Sequence, residues 1–218
     1  ESFFNLGNLY RDAKNYQKSK EYYLLSININ PLHYESNLEL AKIFFSEKSF
    51  DQSLNFAKQC NKINTNSIDA HELIGQILFA TGKFNESLKK YKFIFENCTI
   101  NKKEKYIPNI ASNLIEIGRV REAKTLLSQD SSDVGKYNLS LIYLKEGNYS
   151  QGWRNFDFGI NNNSRKVRSI NYFSDKLELW HPDKKFNSVL VLGEQGIGDE
   201  IMYSSLISDL IDTNIKVG

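Results

Sequence analysis

The chain has 218 residues, 40% of them apolar and 13% aromatic, and a net charge of +2 from nearly balanced acids and bases. That composition excludes a disordered chain, and the charge balance argues against a strongly electrostatic nucleic-acid binder. Two cysteines, Cys60 and Cys98, build no disulfide framework, and the longest apolar run, Val189 to Leu192, is strand-sized, so neither a stapled small domain nor a membrane span is expected.

In chain order, short turns punctuate the first 160 residues. They read Ala13-Lys14-Asn15-Tyr16, Glu47-Lys48-Ser49-Phe50, Thr81-Gly82-Lys83-Phe84, Ile117-Gly118-Arg119-Val120 and Glu146-Gly147-Asn148-Tyr149. Lys14, Lys48, Gly82, Gly118 and Gly147 stand 34, 34, 36 and 29 residues apart. Before each turn lies a helical pattern with one small residue: Gly7, Ala41, Gly75, Ala111 and Ser140. After each turn lies a second pattern with another: Ser19, Ser53, Ser87, Ala123 and Gly152. Small residues let paired helices approach, and large residues between them fill the joint to the next unit. A hairpin of this size buries too little apolar surface alone, so stacking of neighbours must supply the stability.

The period and the residues that mark it resemble the tetratricopeptide repeat family. The resemblance implies a superhelix of about five repeats over residues 1–160, the last two degenerate, and a mainly α fold. In such arrays the first helix of each pair lines the concave face. Its exposed positions are expected to be Phe4, Asn8 and Arg11 in the first repeat, Leu38, Lys42 and Phe45 in the second, and Glu72, Gln76 and Phe79 in the third. Aromatic groups among polar ones suit an extended protein or peptide partner. The Lys, Asn and Arg set that chaperone-tail receptors of the family use is not matched, because Phe4 and Leu38 stand at two of its places. Asn5, Asn109 and Asn138 share one equivalent position, similar to the asparagine ladder of the O-linked N-acetylglucosamine transferase solenoid, with Glu39 and Leu73 interrupting it.

The helical register fades at Gly159 to Ser164, and residues 161–187 read as a connector with a basic cluster at Arg165, Lys166 and Arg168. Ser188 to Leu192 then predicts a buried parallel strand, Glu200 to Asp212 a helix, and Ile215 to Val217 the opening of a second strand. Strand, loop, helix, strand is the βαβ start of an α/β domain. The loop Gly193-Glu194-Gln195-Gly196-Ile197-Gly198-Asp199 has neither the P-loop lysine nor the dinucleotide glycine order. Together with Gly152-Trp153-Arg154 and Leu179-Trp180, it resembles bacterial tetratricopeptide proteins fused to a GT-B glycosyltransferase module of the heptosyltransferase type.

That resemblance implies a Rossmann-like acceptor-side domain beginning in residues 188–218. It implies an acceptor loop of Glu194, Gln195, Gly196 and Gly198, with Asp199 as general base in the full-length protein. It also implies a nucleotide-sugar donor for the full-length protein, none being expected to act on this stretch alone, which lacks the donor-binding half. The other reading is a free-standing scaffold without enzymatic activity. His33, His71 and His181 have no metal-ligand spacing, and both cysteines read as structural thiols. The first residues, Glu1-Ser2-Phe3-Phe4, show no basic leader, so a cytoplasmic location is expected, and the absence of an initiator Met suggests a piece of a longer protein.

Overall fold

The computed structural model describes residues 2–161, 187–189, 207–212 and 216–217. Five helical hairpins follow one another: α1 (Ser2–Asp12) with α2 (Tyr16–Ile29), α3 (Tyr34–Ser46) with α4 (Phe50–Ile63), α5 (Ile68–Ala80) with α6 (Phe84–Asn97), α8 (Ile107–Glu116) with α9 (Val120–Leu127), and α10 (Asp133–Lys145) with α11 (Tyr149–Phe156). A short α7 (Ile100–Lys103) and a 3-10 turn (Glu104–Tyr106) lead into α8, and α12 (Phe158–Asn161) follows α11. The first helix of each hairpin is called A below, the second B.

All five hairpins turn in the same way. The predicted punctuation residues Lys14, Lys48, Gly82, Gly118 and Gly147 each take a positive φ, between 58° and 82°. In the first hairpin the amide of Lys14 donates to the Arg11 carbonyl at 2.8 Å and that of Asn15 to the Tyr10 carbonyl at 2.8 Å. The same two bonds recur after Lys48, Gly82, Gly118 and Gly147. This left-handed helix stop satisfies carbonyls that would otherwise be orphaned and reverses the chain within a few residues. Between hairpins, the side chains of Asn30, Asn64 and Asp130 accept from the amides of Leu32, Asn66 and Ser132 at 3.1, 3.1 and 2.9 Å. These local turns place a cap at the start of the next helix: Ser67 accepts from Ala70 at 3.2 Å, and Ser132 from Gly135 at 3.0 Å.

Within a hairpin the helices meet at the small residues. The ring of Tyr23 lies where a Cβ on Gly7 would stand, 2.4 Å from its nearest atom, and Tyr91 does the same at Gly75, 2.9 Å away. At the second small position the residue does more than leave room. Ser19, Ser53 and Ser87 are fully buried, and each hydroxyl donates across the hairpin to the carbonyl of Gly7, Ala41 or Gly75, at 2.9, 2.7 and 2.8 Å. The sequence announces the size of these serines, not this bond. In the fourth and fifth repeats Ala123 and Gly152 stand in their place and have no hydroxyl to give.

Among the described residues the buried apolar side chains form successive clusters along the repeats, with no single centre. One joins Tyr23 to Leu40 and Ile43, the next runs from Leu38 to Leu78, and the third runs from Leu88 to Ile142. The helices of each hairpin pack together, each B helix packs on an A helix of the next repeat, and α3 also touches α5. The expected solenoid is therefore observed. The first A helix keeps its outer face open: Leu6 is 38% and Leu9 64% exposed, whereas their counterparts Leu40 and Ile43 are buried. The fourth repeat departs from the others. A 3-10 turn replaces the first turn of its A helix, and α9 has 8 residues where α6 has 14.

Farther along, β1 (Ser188–Val189) pairs in parallel with β2 (Lys216–Val217), Ser188 facing Lys216 and Val189 facing Val217. Between them in sequence lies α13 (Ile207–Ile211). These pieces fall inside the predicted strand, helix and second strand. Nearly all of the predicted connector and the loop that carries Glu194, Gln195, Gly196, Gly198 and Asp199 lie outside the described residues.

The turns and the joints each lend themselves to a test. A Cβ added at Gly82 would meet nothing within 4 Å, so only the backbone angle resists a side chain there. Lys48→Gly is expected to stabilise the chain by about 0.5–1 kcal/mol and Gly82→Ala to destabilise it by about 1 kcal/mol, read from urea midpoints. His71 is buried, and its Nε2 donates to the Thr65 carbonyl at 2.8 Å, while Nδ1 has no partner. Burial lowers its pKa, opposed in part by the bond to Thr65. The neutral ring is the folded form, so its contribution is complete above the ordinary value of 6.5 and declines as pH falls through the lowered folded value. Stability should fall more from pH 7.5 to 5.5 in the unaltered chain than in His71→Gln, as urea unfolding at the two pH values would show.

Candidate functional site

The A helices α3, α5 and α8 together line a depression of about 310 Å3, with Phe45, Gln76, Phe79, Asn109 and Ser112 from these helices and Tyr91 from α6. The regular hairpin geometry puts these side chains together. Gln76 and Ser112 are the same position of successive A helices, and Phe45 and Phe79 are likewise equivalent. Each phenylalanine is steadied by the first residue of its own B helix: Phe45 lies 5.8 Å from the Phe50 ring, and Phe79 meets Phe84 edge-on at 5.2 Å. Ser112 donates to the Pro108 carbonyl at 2.9 Å. Burial pushes the Tyr91 hydroxyl up to about 12, and its hydrogen bond to Asn109 offsets that only in part. It is therefore a neutral donor at any ordinary pH. Among the described residues the lining holds no charged side chain.

The charged residues expected on this face are engaged with one another. Arg11 bonds Glu39 of the next repeat at 2.9 Å and also holds Asp12 at 3.0 Å, which raises its pKa. Lys42 bonds the other oxygen of Glu39 at 2.7 Å. Burial works to raise the Glu39 pKa, but the bonds from Lys42 and Arg11 outweigh it and leave the carboxyl below its ordinary value. Glu72 accepts from Lys105 at 3.1 Å and from the Tyr106 hydroxyl at 3.0 Å. Burial, and then the bond to Glu72, raise the Tyr106 pKa. Asn8 accepts from the Tyr23 hydroxyl at 2.7 Å.

The nine expected groove residues thus divide. Phe45, Gln76 and Phe79 come together in the depression. Asn8, Arg11, Lys42 and Glu72 are bound into ties within or between repeats. Phe4 packs its ring against Tyr23 and His33, at 5.8 and 5.1 Å. Leu38 is corrected: it is 7% exposed and belongs to the apolar cluster of Leu73, Ile74 and Ile77, because neighbouring A helices α3 and α5 touch directly. The asparagine row does not run through either. Asn109 lines the depression, but Glu39 is taken up in ion pairs and Leu73 is 6% exposed. The sequence pattern marks Tyr91 only as a repeat-packing residue and does not single out Ser112 or Asn113. Carrying the Asn8, Lys42, Gln76 series into the fourth repeat would have found Ser112.

Elsewhere, burial pushes the Cys60 thiol up to about 12, so it is inert as a nucleophile. Among the described residues no three His, Cys, Asp or Glu side chains gather as a metal would require. Among the same residues no helix is long and apolar enough to cross a membrane.

Comparison with known proteins agrees with the hairpin geometry. The tetratricopeptide repeat family model matches residues 1–31. The solenoid is of the tetratricopeptide type. A crystal structure of MamA superimposes with a TM-score of 0.62 at 13% identity, covering 72% of this chain and 94% of that one. The structure of YrrB, described as a tetratricopeptide protein with an unusual peptide-binding site, superimposes at 0.60 with 13% identity over 80% of this chain and 91% of that one. Pseudomonas aeruginosa PilF gives 0.64 at 13% identity, covering 80% and 84%. Comparison with curated proteins gave no match. At such identities the likeness concerns the tetratricopeptide fold alone.

The correction at Leu38 has a measurable consequence. Leu38→Ala should cost about 2–4 kcal/mol of stability in urea unfolding, as for a core leucine. Alanine at exposed Lys42 should change it by under about 0.5 kcal/mol.

Proposed function

We propose that the tetratricopeptide solenoid is a protein-interaction module that holds an extended segment of a partner protein on its A-helix face, centred on the depression between α3, α5 and α8. The observation that carries this reading is the division of the face. Its charged groups satisfy one another across repeat joints, while Phe45, Gln76, Phe79, Asn109 and Ser112 border an opening of about 310 Å3. Aromatic walls supply apolar contact area, and side-chain amides can bond a backbone in either direction, as donor or acceptor. The peptide-binding site named for YrrB supports the class of ligand, by likeness of fold.

The finer reading is that this solenoid presents its partner to a glycosyltransferase domain that begins near Ser188. Its support is the Gly193 to Asp199 motif and the parallel pairing of β1 with β2, between which α13 lies in sequence. In that reading Glu194, Gln195, Gly196 and Gly198 form the acceptor loop, and Asp199 removes a proton from the acceptor hydroxyl. A nucleotide sugar bound by the remainder of the protein is the donor. The described chain then works as the recruiting part, without turnover of its own. Such a protein is expected to act in the cytoplasm.

The test begins with peptides selected from a random library on the immobilised chain. Gln76→Ala and Phe79→Ala are each expected to weaken the selected peptides about tenfold or more in calorimetry. Alanine at Lys89, on the B-helix side, should leave their affinity unchanged. Equal affinity in all three variants would remove the A-helix face as the binding surface.

A further inference from the structure

One position that breaks the repeat code borders the depression. Five residues before each turn the A helix carries an aliphatic residue, Leu9, Ile43, Ile77 or Ile142, except in the fourth repeat, where Asn113 stands. Ile43, Ile77 and Ile142 are buried, and Asn113 is as well, at 0% exposure. Its Nδ2 donates to the Asn109 carbonyl at 2.8 Å, but its Oδ1 is buried without a hydrogen-bond partner. An unpaired buried amide oxygen is destabilising, and isoleucine at the same position of three other repeats shows that the fold does not need it. The residue borders the opening that Phe45, Phe79 and Tyr91 wall.

We propose that this depression receives one neutral aromatic side chain that carries a hydrogen-bond donor, a tyrosine or tryptophan of the bound segment, whose O–H or N–H completes Asn113. The proposal rests on the groove reading above and specifies its anchor residue. Three facts select this class. A space of about 310 Å3 holds one large side chain, near the lower limit for ligand pockets. The lining has no charged group, so a lysine or arginine would be desolvated without a counter-charge. A phenylalanine would fill the space but leave the Asn113 oxygen unpaired. That oxygen is closed to bulk water in the free chain, so pairing requires the incoming ring to part the pocket wall.

Side-chain analogues test this without a known partner. p-Cresol, 3-methylindole and toluene are titrated into the isotope-labelled chain, and the Asn113 side-chain amide and the Phe79 ring are followed by NMR. p-Cresol and 3-methylindole are expected to shift both signals and to bind at least about fivefold more tightly than toluene. Asn113→Ile is expected to erase that preference and to raise Tm by about 4 °C, because the unpaired oxygen is gone. Toluene binding as tightly as p-cresol to the unaltered chain would overturn the proposal, as would the absence of any response at Asn113 and Phe79 to all three probes. The groove reading fails separately. Library peptides that need Phe79 but carry no tyrosine or tryptophan would sink the anchor and leave the groove. Binding of p-cresol without selection of any peptide would sink the groove and leave the pocket's preference.

Discussion

The whole solenoid depends on how closely two helices of one hairpin can lie. In the first three repeats that distance is set by a pair of small residues and one hydroxyl. Gly7, Ala41 and Gly75 clear the surface, and Ser19, Ser53 and Ser87 bridge it by donating to the carbonyls of those same residues. The bond is fully buried, so it cannot be exchanged for water without opening the hairpin. It therefore fixes the register of B on A as well as their separation. The left-handed turn at Lys14, Lys48 and Gly82 makes that register reachable, because it brings the chain back with only three residues between the paired helices. Where the hydroxyl is missing, at Ala123 and Gly152, the B helices are short, 8 residues each.

This constraint decides what is left for function. Tight hairpins stacked on one another bring A helices of adjacent repeats into contact, and side chains at the edge of that contact become joints. Leu38 disappears into the apolar core, and Glu72 is tied to Lys105 and Tyr106 of the following repeat. Arg11, Glu39 and Lys42 close a charged network over the first joint. In each of these pairs the cation is partly exposed and the carboxylate more covered, so desolvation offsets much of the attraction. Their larger effect is to cancel charge over the first two repeats. Neutral groups then dominate where α3, α5 and α8 come together, and a partner held there is selected by shape and hydrogen bonding, with weak dependence on salt.

The architecture was legible in the sequence because its determinants are local and repeated. The turn residues at the predicted punctuation take the same φ sign, and the small residues named from sequence are the points of helix contact. The face was only partly legible. Periodicity says which side of a helix a residue occupies, but not whether a neighbouring helix covers it, and that alone separates Leu38 from Phe45. Nor does periodicity reveal pairing across repeats: Arg11 and Glu39 are 28 residues apart, and nothing in either helix pattern announces their bond. Asn113 was legible in principle, as a polar residue in an aliphatic column, but only when the fourth repeat is aligned by its turn at Gly118. The degenerate spacing around that repeat hid the column.

That same irregularity lies beside the opening, which α3, α5 and α8 line together. Within the second repeat, Phe44 and Phe56 stack with rings 5.6 Å apart and nearly parallel, where α3 meets its own B helix. In the fourth repeat the extra residues before α8 form a 3-10 turn, and the A helix proper begins only at Ile107, with Pro108 in its first turn. Asn109, Ser112 and Asn113 sit on that shortened helix, directly after the break in period. Asn113 takes a place in the core that isoleucine holds in three other repeats, beside the opening that Asn109 and Ser112 border. In a repeat array the departure from the repeat is thus the informative part: regularity builds the surface, and the interruption gives one place on it a chemistry that the other repeats lack.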